Sequence, residues 1–217
     1  SFEIISYDQR GLGQTSKPKN RYSMKQYAND AADLIDKLGF SRLPVMGVSF
    51  GGMVAQELAI RHPDKVSKLV LACTSSGGKG GSSYPLHELE DLDPEERLEK
   101  GIKINDLRIT DTWVDENPEG WKKLKELSTN RIQYKPETSG FMSQLMARKE
   151  HDTSKRLSKI KAPVLLLGGR YDGIAPIKNM EYLNQNIKSS VLKFYEGGHL
   201  FLIQDKQAFK DIIEWLT

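Results

Sequence analysis

The sequence predicts an α/β fold, a doubly wound and mostly parallel sheet with an inserted helical cap. Short apolar runs alternate with amphipathic helical segments through residues 1–75 and again through 161–217. This alternation is typical of parallel strands covered by helices on both faces. Residues 76–160 interrupt it: they open on a linker rich in glycine and serine and continue as polar, helix-forming sequence. We therefore expect a core formed by 1–75 and 161–217, and a cap formed by 76–160.

The predicted strands are short and largely apolar, as expected of strands buried on both faces. Their sequences are FEIISYD, LPVMGV, KLVLACT, APVLLLGG and SSVLKFY. Ser23 and Gln26 have the spacing of a capping box, which predicts the start of the first helix, and Gly39 predicts its end. Pro63 is expected to stop the second helix, GGMVAQELAIRHP. Two further helices are predicted at IKNMEYLNQNI and KQAFKDIIEWLT.

Composition narrows the class of protein. The net charge is only +3 and the two signs are interleaved, so neither a nucleic-acid nor a membrane partner is predicted. The apolar runs are too short to span a bilayer, and no signal-peptide pattern is visible, so the expected location is cytoplasmic. The single cysteine, Cys73, excludes an internal disulfide and a cysteine metal cluster. It ends an apolar strand, which predicts a small buried residue.

The stretch Gly47-Val48-Ser49-Phe50-Gly51 has the pattern of a nucleophile elbow between a strand and a helix. Such a turn strains the backbone of the serine and brings its neighbours at ±2 almost into contact, so we expect small residues at Gly47 and Gly51, with Gly52 following. The Phe50 N–H would lie at a helix N-terminus, where negative charge is stabilised. The alternative is a serine in an ordinary glycine-rich turn.

A serine hydroxyl needs a base, and the base needs an orienting acid. His199 follows the last predicted strand after two glycines, which let the loop turn inward. Asp172 follows the strand VLLLGG at its carboxyl end. Ser49, Asp172 and His199 thus occur in the order nucleophile, acid, base, each at the end of a strand. We interpret them as a catalytic triad.

The other three histidines have simpler interpretations. His62 lies at a helix end and is expected to cap it, and His87 lies in the linker and is expected to be solvated. His151 precedes Asp152, a tempting pair, but HDTSKRL is interpreted as the start of a helix with Asp152 as its N-cap.

These segments resemble the α/β-hydrolase fold superfamily, and most of all its capped, cofactor-independent branch that includes 3-oxoadipate enol-lactonases and similar esterases. The resemblance rests on YDQRGLGQTSKP, on VMGVSFGGMVAQELAIRHPDKVSKLVLACT, on RLSKIKAPVLLLGGRYDGIAP and on YEGGHLFLIQDKQAFKDIIEWL. It implies that Ser49 is the nucleophile, Asp172 the acid, His199 the base and the Phe50 N–H one oxyanion donor. It implies no cofactor and no metal. A serine nucleophile argues against the dehalogenase and epoxide-hydrolase branches, which use aspartate there.

The sequence departs from the family at its beginning. In the family FEIISYDQRG corresponds to the fourth strand, and a third strand lies between it and the strand before Ser49. A His-Gly loop normally supplies the second oxyanion N–H, yet no His-Gly dipeptide occurs here. Two apolar edges would be unpaired. We expect a fragment of a longer protein, a sheet completed by self-association or by a complementing segment, or a sheet that closes up in an unusual way.

The resulting hypothesis is a serine hydrolase that cleaves a small carboxylic ester or lactone through an acyl-enzyme. C–C hydrolase, peptidase and perhydrolase or haloperoxidase-like activities remain alternatives on the same scaffold. A non-catalytic binding or signalling module, or an inactive fragment, is the alternative of another class. Four side chains of the cap either line the substrate pocket or form the core of the cap: Trp113, Trp121, Met142 and Met146.

Overall fold

The computed structural model describes residues 2–131 and 138–217. In that part of the chain four strands form one sheet in the order β1-β2-β3-β4, and all three neighbouring pairs are parallel. The strands are β1 (Leu43–Val48), β2 (Val66–Ala72), β3 (Val164–Gly169) and β4 (Ser190–Tyr195). Each matches an apolar run that predicts a strand, and the predicted parallel, doubly wound α/β fold is confirmed.

The helices of the core begin and end close to the residues that predict them. Ser23 and Gln26 form the capping box, and Gly39 follows the first helix with a φ of 80°. Pro63 stops the second helix. The core helices are α1 (Met24–Lys37), α2 (Phe50–Arg61), α7 (Ile177–Asn186), α8 (Phe201–Gln204) and α9 (Lys206–Leu216).

The core lies on both faces of the central strands. Successive residues of β2 point to opposite faces, so Leu69 and Leu71 pack against helices α1, α2 and α7. Val70 and Ala72 pack on the other face against α8 and α9. All six residues of β3 are buried. Two layers of helix therefore hold the strand ends fixed, and those ends carry the functional residues.

Residues 2–7 do not form the predicted first strand. They are exposed, Ile4 by 86%. A strand requires a neighbour to share its hydrogen bonds, and no described strand lies beside this segment. β1 correspondingly has β2 on one side only, and its Met46 and Val48 are 39% and 41% exposed. Apolar sequence alone was an insufficient criterion for a strand here.

Apart from an isolated antiparallel bridge between Gly77 and Asp152, the regular structure described between β2 and β3 is helical, and loops join the helices. It contains α3 (Pro94–Asn105), α4 (Asp111–Glu116), α5 (Pro118–Arg131) and α6 (Thr138–Lys149), with short 3-10 turns at Gly78–Gly80 and Leu86–Asp91. Asp93 and Thr110 cap α3 and α4 with their side chains. Among the described residues, no helix combines the length and the apolarity that crossing a bilayer requires.

Candidate active site

Ser49 occupies a strained turn between β1 and α2. Its φ of 52° and ψ of −115° lie where side chains other than glycine are rarely found. Two hydrogen bonds fix this backbone: the Ser49 N–H donates to the Ala72 carbonyl at 2.8 Å, and the Thr74 hydroxyl donates to the Ser49 carbonyl at 2.8 Å. The end of β2 therefore holds the serine in a conformation it would not adopt alone.

The three glycines around Ser49 are not equally constrained. A Cβ at Gly47 would lie 2.4 Å from the Gly51 carbonyl oxygen, and one at Gly52 would lie 2.7 Å from the Thr74 side chain. A Cβ at Gly51 would meet nothing within 4 Å. A side chain at position 47 would therefore collide with backbone, whereas position 51 has space for one. Position 51 is in the first turn of α2 and would point its side chain into open space.

Asp172, His199 and Ser49 form one continuous chain of hydrogen bonds. The Asp172 carboxylate, 2% exposed, places Oδ2 2.8 Å from Nδ1 of His199. His199 Nε2 lies 2.9 Å from the Ser49 hydroxyl oxygen. The other Asp172 oxygen accepts the backbone N–H groups of Ile174 and Ala175, both at 2.8 Å. The structure brings together all three residues that the sequence singles out.

The loop that presents His199 depends on close backbone contacts. The His199 N–H donates to the Asn105 carbonyl, at the end of α3, at 2.6 Å. A Cβ at Gly198 would lie 2.0 Å from that same carbonyl oxygen. A Cβ at Gly169 would lie 2.1 Å from the Gly198 carbonyl oxygen. The glycines before His199 therefore permit the loop to pack between the end of β3 and the end of α3.

Phe50 starts α2, and its backbone N–H belongs to the first turn, where N–H groups have no acceptor within the helix. Its ring packs edge-on against Tyr27 with centroids 5.1 Å apart. The Tyr27 hydroxyl donates to the Arg10 carbonyl, and the Arg10 guanidinium forms a two-pronged ion pair with Asp30. The hydrogen bonds that Arg10 donates to the Asp30 carboxylate raise the pKa of its guanidinium. These contacts fix the start of α2.

Cys73 is a neighbour of the site that the sequence interpretation assigned to the core. It is buried, as predicted, and has a φ of 41°. One ligand atom from each of Cys73, Asp172 and His199 lies within 4.8 Å of the others. Burial, and then the nearby Asp172 charge, raise the pKa of the thiol, which keeps it protonated. Asp172 and His199 are hydrogen bonded to each other, so we interpret this group as the acid and base with a thiol beside them.

The other histidines lie elsewhere. His62 is the C-cap of α2, as predicted, and its Nε2 lies 3.0 Å from the amide oxygen of Asn29 in α1. His87 is half-buried rather than solvated. His151 is buried, and Asp152 caps no helix: its carboxylate accepts from Ser154 in a turn. The predicted helix start at HDTSKRL is therefore wrong, because the segment forms only a 3-10 turn at Leu157–Lys159.

The aromatic side chains of the predicted cap make contacts within it. The ammonium groups of Lys103 and Lys125 lie 5.8 and 5.6 Å from the centroid of the Trp121 ring. Trp113 packs against Gly120. Met142 and Met146 are half-buried on α6. Their role in lining a substrate pocket stays a prediction.

The parallel sheet and the serine at a strand–helix turn are features that define the α/β-hydrolase class. The chain belongs to the α/β hydrolase fold family, which matches residues 1–206. It is 28% identical over 212 residues to 3-oxoadipate enol-lactonase 2 of Acinetobacter baylyi strain ADP1, covering 97% of this chain and 77% of that protein. It is 31% identical over 214 residues to a poly(3-hydroxyalkanoate) depolymerase of Ectopseudomonas oleovorans, covering 97% and 73%.

The fold is also similar to that of solved structures. The enol-lactonase from Burkholderia xenovorans LB400 superposes with a TM-score of 0.75 at 22% identity, covering 97% of this chain and 79% of that one. The predicted resemblance and the predicted class, an α/β-hydrolase enzyme, are confirmed.

Proposed function

We propose that this protein is a serine hydrolase that cleaves a carboxylic ester or lactone through an acyl-enzyme. The observation that carries the proposal is the pair of distances at His199, 2.9 Å to the Ser49 hydroxyl and 2.8 Å to the Asp172 carboxylate. The names of the relatives support the substrate class, since one is a lactonase and another a depolymerase of a polyester.

Asp172 sets the tautomer of His199. A carboxylate accepts hydrogen bonds only, so its contact with Nδ1 assigns the imidazole proton to that nitrogen. Nε2 is then the free base facing Ser49. The backbone N–H groups of Ile174 and Ala175 donate to the Asp172 carboxylate and fix its position. Asp172 is thus an orienting acid that also stabilises the imidazolium formed during the reaction.

In the proposed reaction His199 Nε2 takes the proton of Ser49 as its oxygen attacks the carbonyl carbon. The negative charge that develops on the carbonyl oxygen is stabilised by the Phe50 N–H and by the positive end of α2. His199 then protonates the leaving alkoxide, and the acyl group remains on Ser49. Water attacks this ester in the second half, with His199 again as base, and the carboxylic acid leaves.

The insertion is proposed to act as a cap over this site, with boundaries at 76–160. The carbonyl of Asn105, in α3, accepts the His199 N–H, and a Cβ at Gly198 would also lie 2.7 Å from the Asp106 Cα. The insertion therefore touches the loop that carries the base. Movement of α3 would alter the position of His199, as expected of a cap that admits substrate.

The experiment is labelling with a fluorophosphonate followed by intact mass and peptide mapping. The wild type is expected to gain one adduct on Ser49, and Ser49→Ala none, with Ser41→Ala, an exposed serine, as the matched control. Turnover of short p-nitrophenyl esters and of lactones should be lost only in Ser49→Ala. No adduct on Ser49 in folded protein contradicts the proposal. Equal turnover by Ser49→Ala would favour a binding role.

A further inference from the structure

A cavity lies close to the proposed catalytic residues, between α2, the linker after β2 and the end of α6. Its volume is about 350 Å³, and none of Ser49, Asp172 and His199 lines it. It is nevertheless close to the nucleophile. The N–H of Met53, which lines the cavity, donates to the Ser49 carbonyl, and Ser75 follows the Thr74 that bonds that same carbonyl.

Several residues that line this cavity carry buried polar atoms without partners. Among the described residues seven buried side-chain nitrogen or oxygen atoms lack a hydrogen bond, and four of them belong to Ser75, Arg148 and His151. These residues are 0%, 9% and 4% exposed, and all three line the cavity. Leaving such groups unsatisfied is costly, the more so for a charged one. Water or a ligand in the cavity would satisfy these groups, and their concentration in one place, from two distant stretches of chain, favours a polar ligand there.

The cavity carries one buried positive charge. Arg148 donates Nη1 to the Tyr84 carbonyl at 2.7 Å, while Nη2 remains without a partner in the described chain. No carboxylate there forms an ion pair with it. Burial lowers the pKa of Arg148 to about 10, so the guanidinium stays charged at neutral pH.

His151 supplies a neutral donor and acceptor. Burial lowers its pKa to about 4, although the Glu57 charge and a hydrogen-bonding interaction with the Ser75 backbone act in the opposite direction. That interaction does not meet the geometry of a hydrogen bond, so both ring nitrogens still lack a partner among the described residues. His151 is therefore uncharged at neutral pH. Lys149 and Glu88, both exposed, lie at the rim with opposite charges. The interior is left with a net charge of one, which a monoanion balances.

The geometry points to a binding site for a small organic acid, whose carboxylate is held by Arg148, Ser75 and His151. A guanidinium suits a carboxylate because its N–H groups match two oxygens in one plane. Met53 and Pro85 give the cavity apolar wall for a short carbon chain. The volume is at the lower end of small-molecule sites, which favours a short acid over a nucleotide or a lipid. A phosphate dianion would leave one charge unbalanced.

The carboxylate has two possible sources: the far end of the ester substrate, or a free acid that binds beside it. A carboxylate on the ester substrate rests on the proposed esterase function, whereas the binding of a free acid does not. Binding is therefore measured first on the Ser49→Ala variant, which needs no turnover, by calorimetry with butyrate and benzoate at constant ionic strength. Inorganic phosphate and chloride are the comparison anions.

Saturable binding of a carboxylate is expected, weakened about 10–100-fold by Arg148→Met and about 3–10-fold by Ser75→Ala. Arg42→Gln, which removes an exposed arginine, should bind as before. Ser75→Ala removes a hydroxyl without a partner, so this variant should fold normally. If Arg148→Met fails to fold, the affinity of Ser75→Ala for the carboxylate tests the proposal instead. Absence of carboxylate binding, binding untouched by these variants, or tighter binding of phosphate overturns the proposal.

The source of the bound carboxylate is determined by measuring the hydrolysis of two p-nitrophenyl esters of equal length, one ending in a carboxylate and one in a methyl group. If the substrate supplies the carboxylate, Arg148→Met lowers kcat/KM for the first about 10-fold or more relative to the second, and butyrate competes with the first. If a free acid is bound, the ratio stays the same and butyrate does not compete. Both results support the site, and a lack of turnover counts against the proposed function alone.

Discussion

Gly47→Ala and Gly51→Ala form a matched pair that tests the elbow. At Gly47 the new Cβ would lie 2.4 Å from the Gly51 carbonyl oxygen, short of an ordinary contact by about 1 Å. Because both partners are backbone, either β1 or the start of α2 must move by about that amount. A displacement of about 1 Å at a catalytic group can cost 10²-fold in rate, and overpacking costs about 1–3 kcal/mol of stability.

Gly51→Ala should behave in the opposite way. Its Cβ meets nothing within 4 Å and it lies in a helix, where alanine is favoured over glycine by about 0.5–1 kcal/mol. We expect kcat/KM on p-nitrophenyl acetate to fall about 10²-fold for Gly47→Ala and to stay within about twofold for Gly51→Ala. Urea unfolding should show the first variant less stable than the wild type and the second slightly more stable. A fully active Gly47→Ala, or equal losses in both variants, would refute the reasoning.

Two other predictions concern carboxylates. Asp172→Asn should lower kcat about 10⁴-fold with little effect on KM, because the amide no longer holds His199 in the tautomer whose Nε2 faces Ser49 as a base. Asp152→Asn, in the turn outside the triad, should leave kcat unchanged. Comparable activity of the two variants would contradict the assignment. Glu57 is buried and bound by Arg156 and Arg61; burial alone would raise its pKa, but the two arginines together lower it. The stability that ionised Glu57 contributes is therefore fully present above its pKa in the unfolded chain, about 4.3. It is lost as the pH falls through the lowered pKa of Glu57 in the folded protein. Glu57→Gln should lower the free energy of unfolding by about 2 kcal/mol at pH 7. Urea unfolding curves should show the difference in stability between the variant and the wild type shrinking towards pH 3. A difference that does not change with pH would contradict this.

The parts of the site that the sequence predicts are those with a local signature. Ser49 is recognisable because the elbow pattern, the strand and the helix are contiguous in the chain. Asp172 and His199 are recognisable because each follows a predicted strand, and parallel strands end at one edge. No long-range information is needed for any of the three.

The remaining features depend on spatial neighbours. FEIISYD has the composition of a strand, but whether it forms one depends on a partner strand, which composition does not reveal. The freedom at Gly51 depends on the direction of a Cβ. The cavity at Arg148 joins Ser75 to residues more than 70 positions away. The cytoplasmic location and the possible self-association stay predictions.

The strained backbone at Ser49 also determines how this residue is best removed. Among the described residues only Ser49 and Cys73 have a positive φ without being glycine, and they directly follow the adjacent strands β1 and β2. Alanine at position 49 would carry the same conformational cost as serine, because the cost comes from Cβ rather than from the hydroxyl. Glycine would not. Alanine and glycine at this one position therefore separate the loss of the nucleophile from the release of strain.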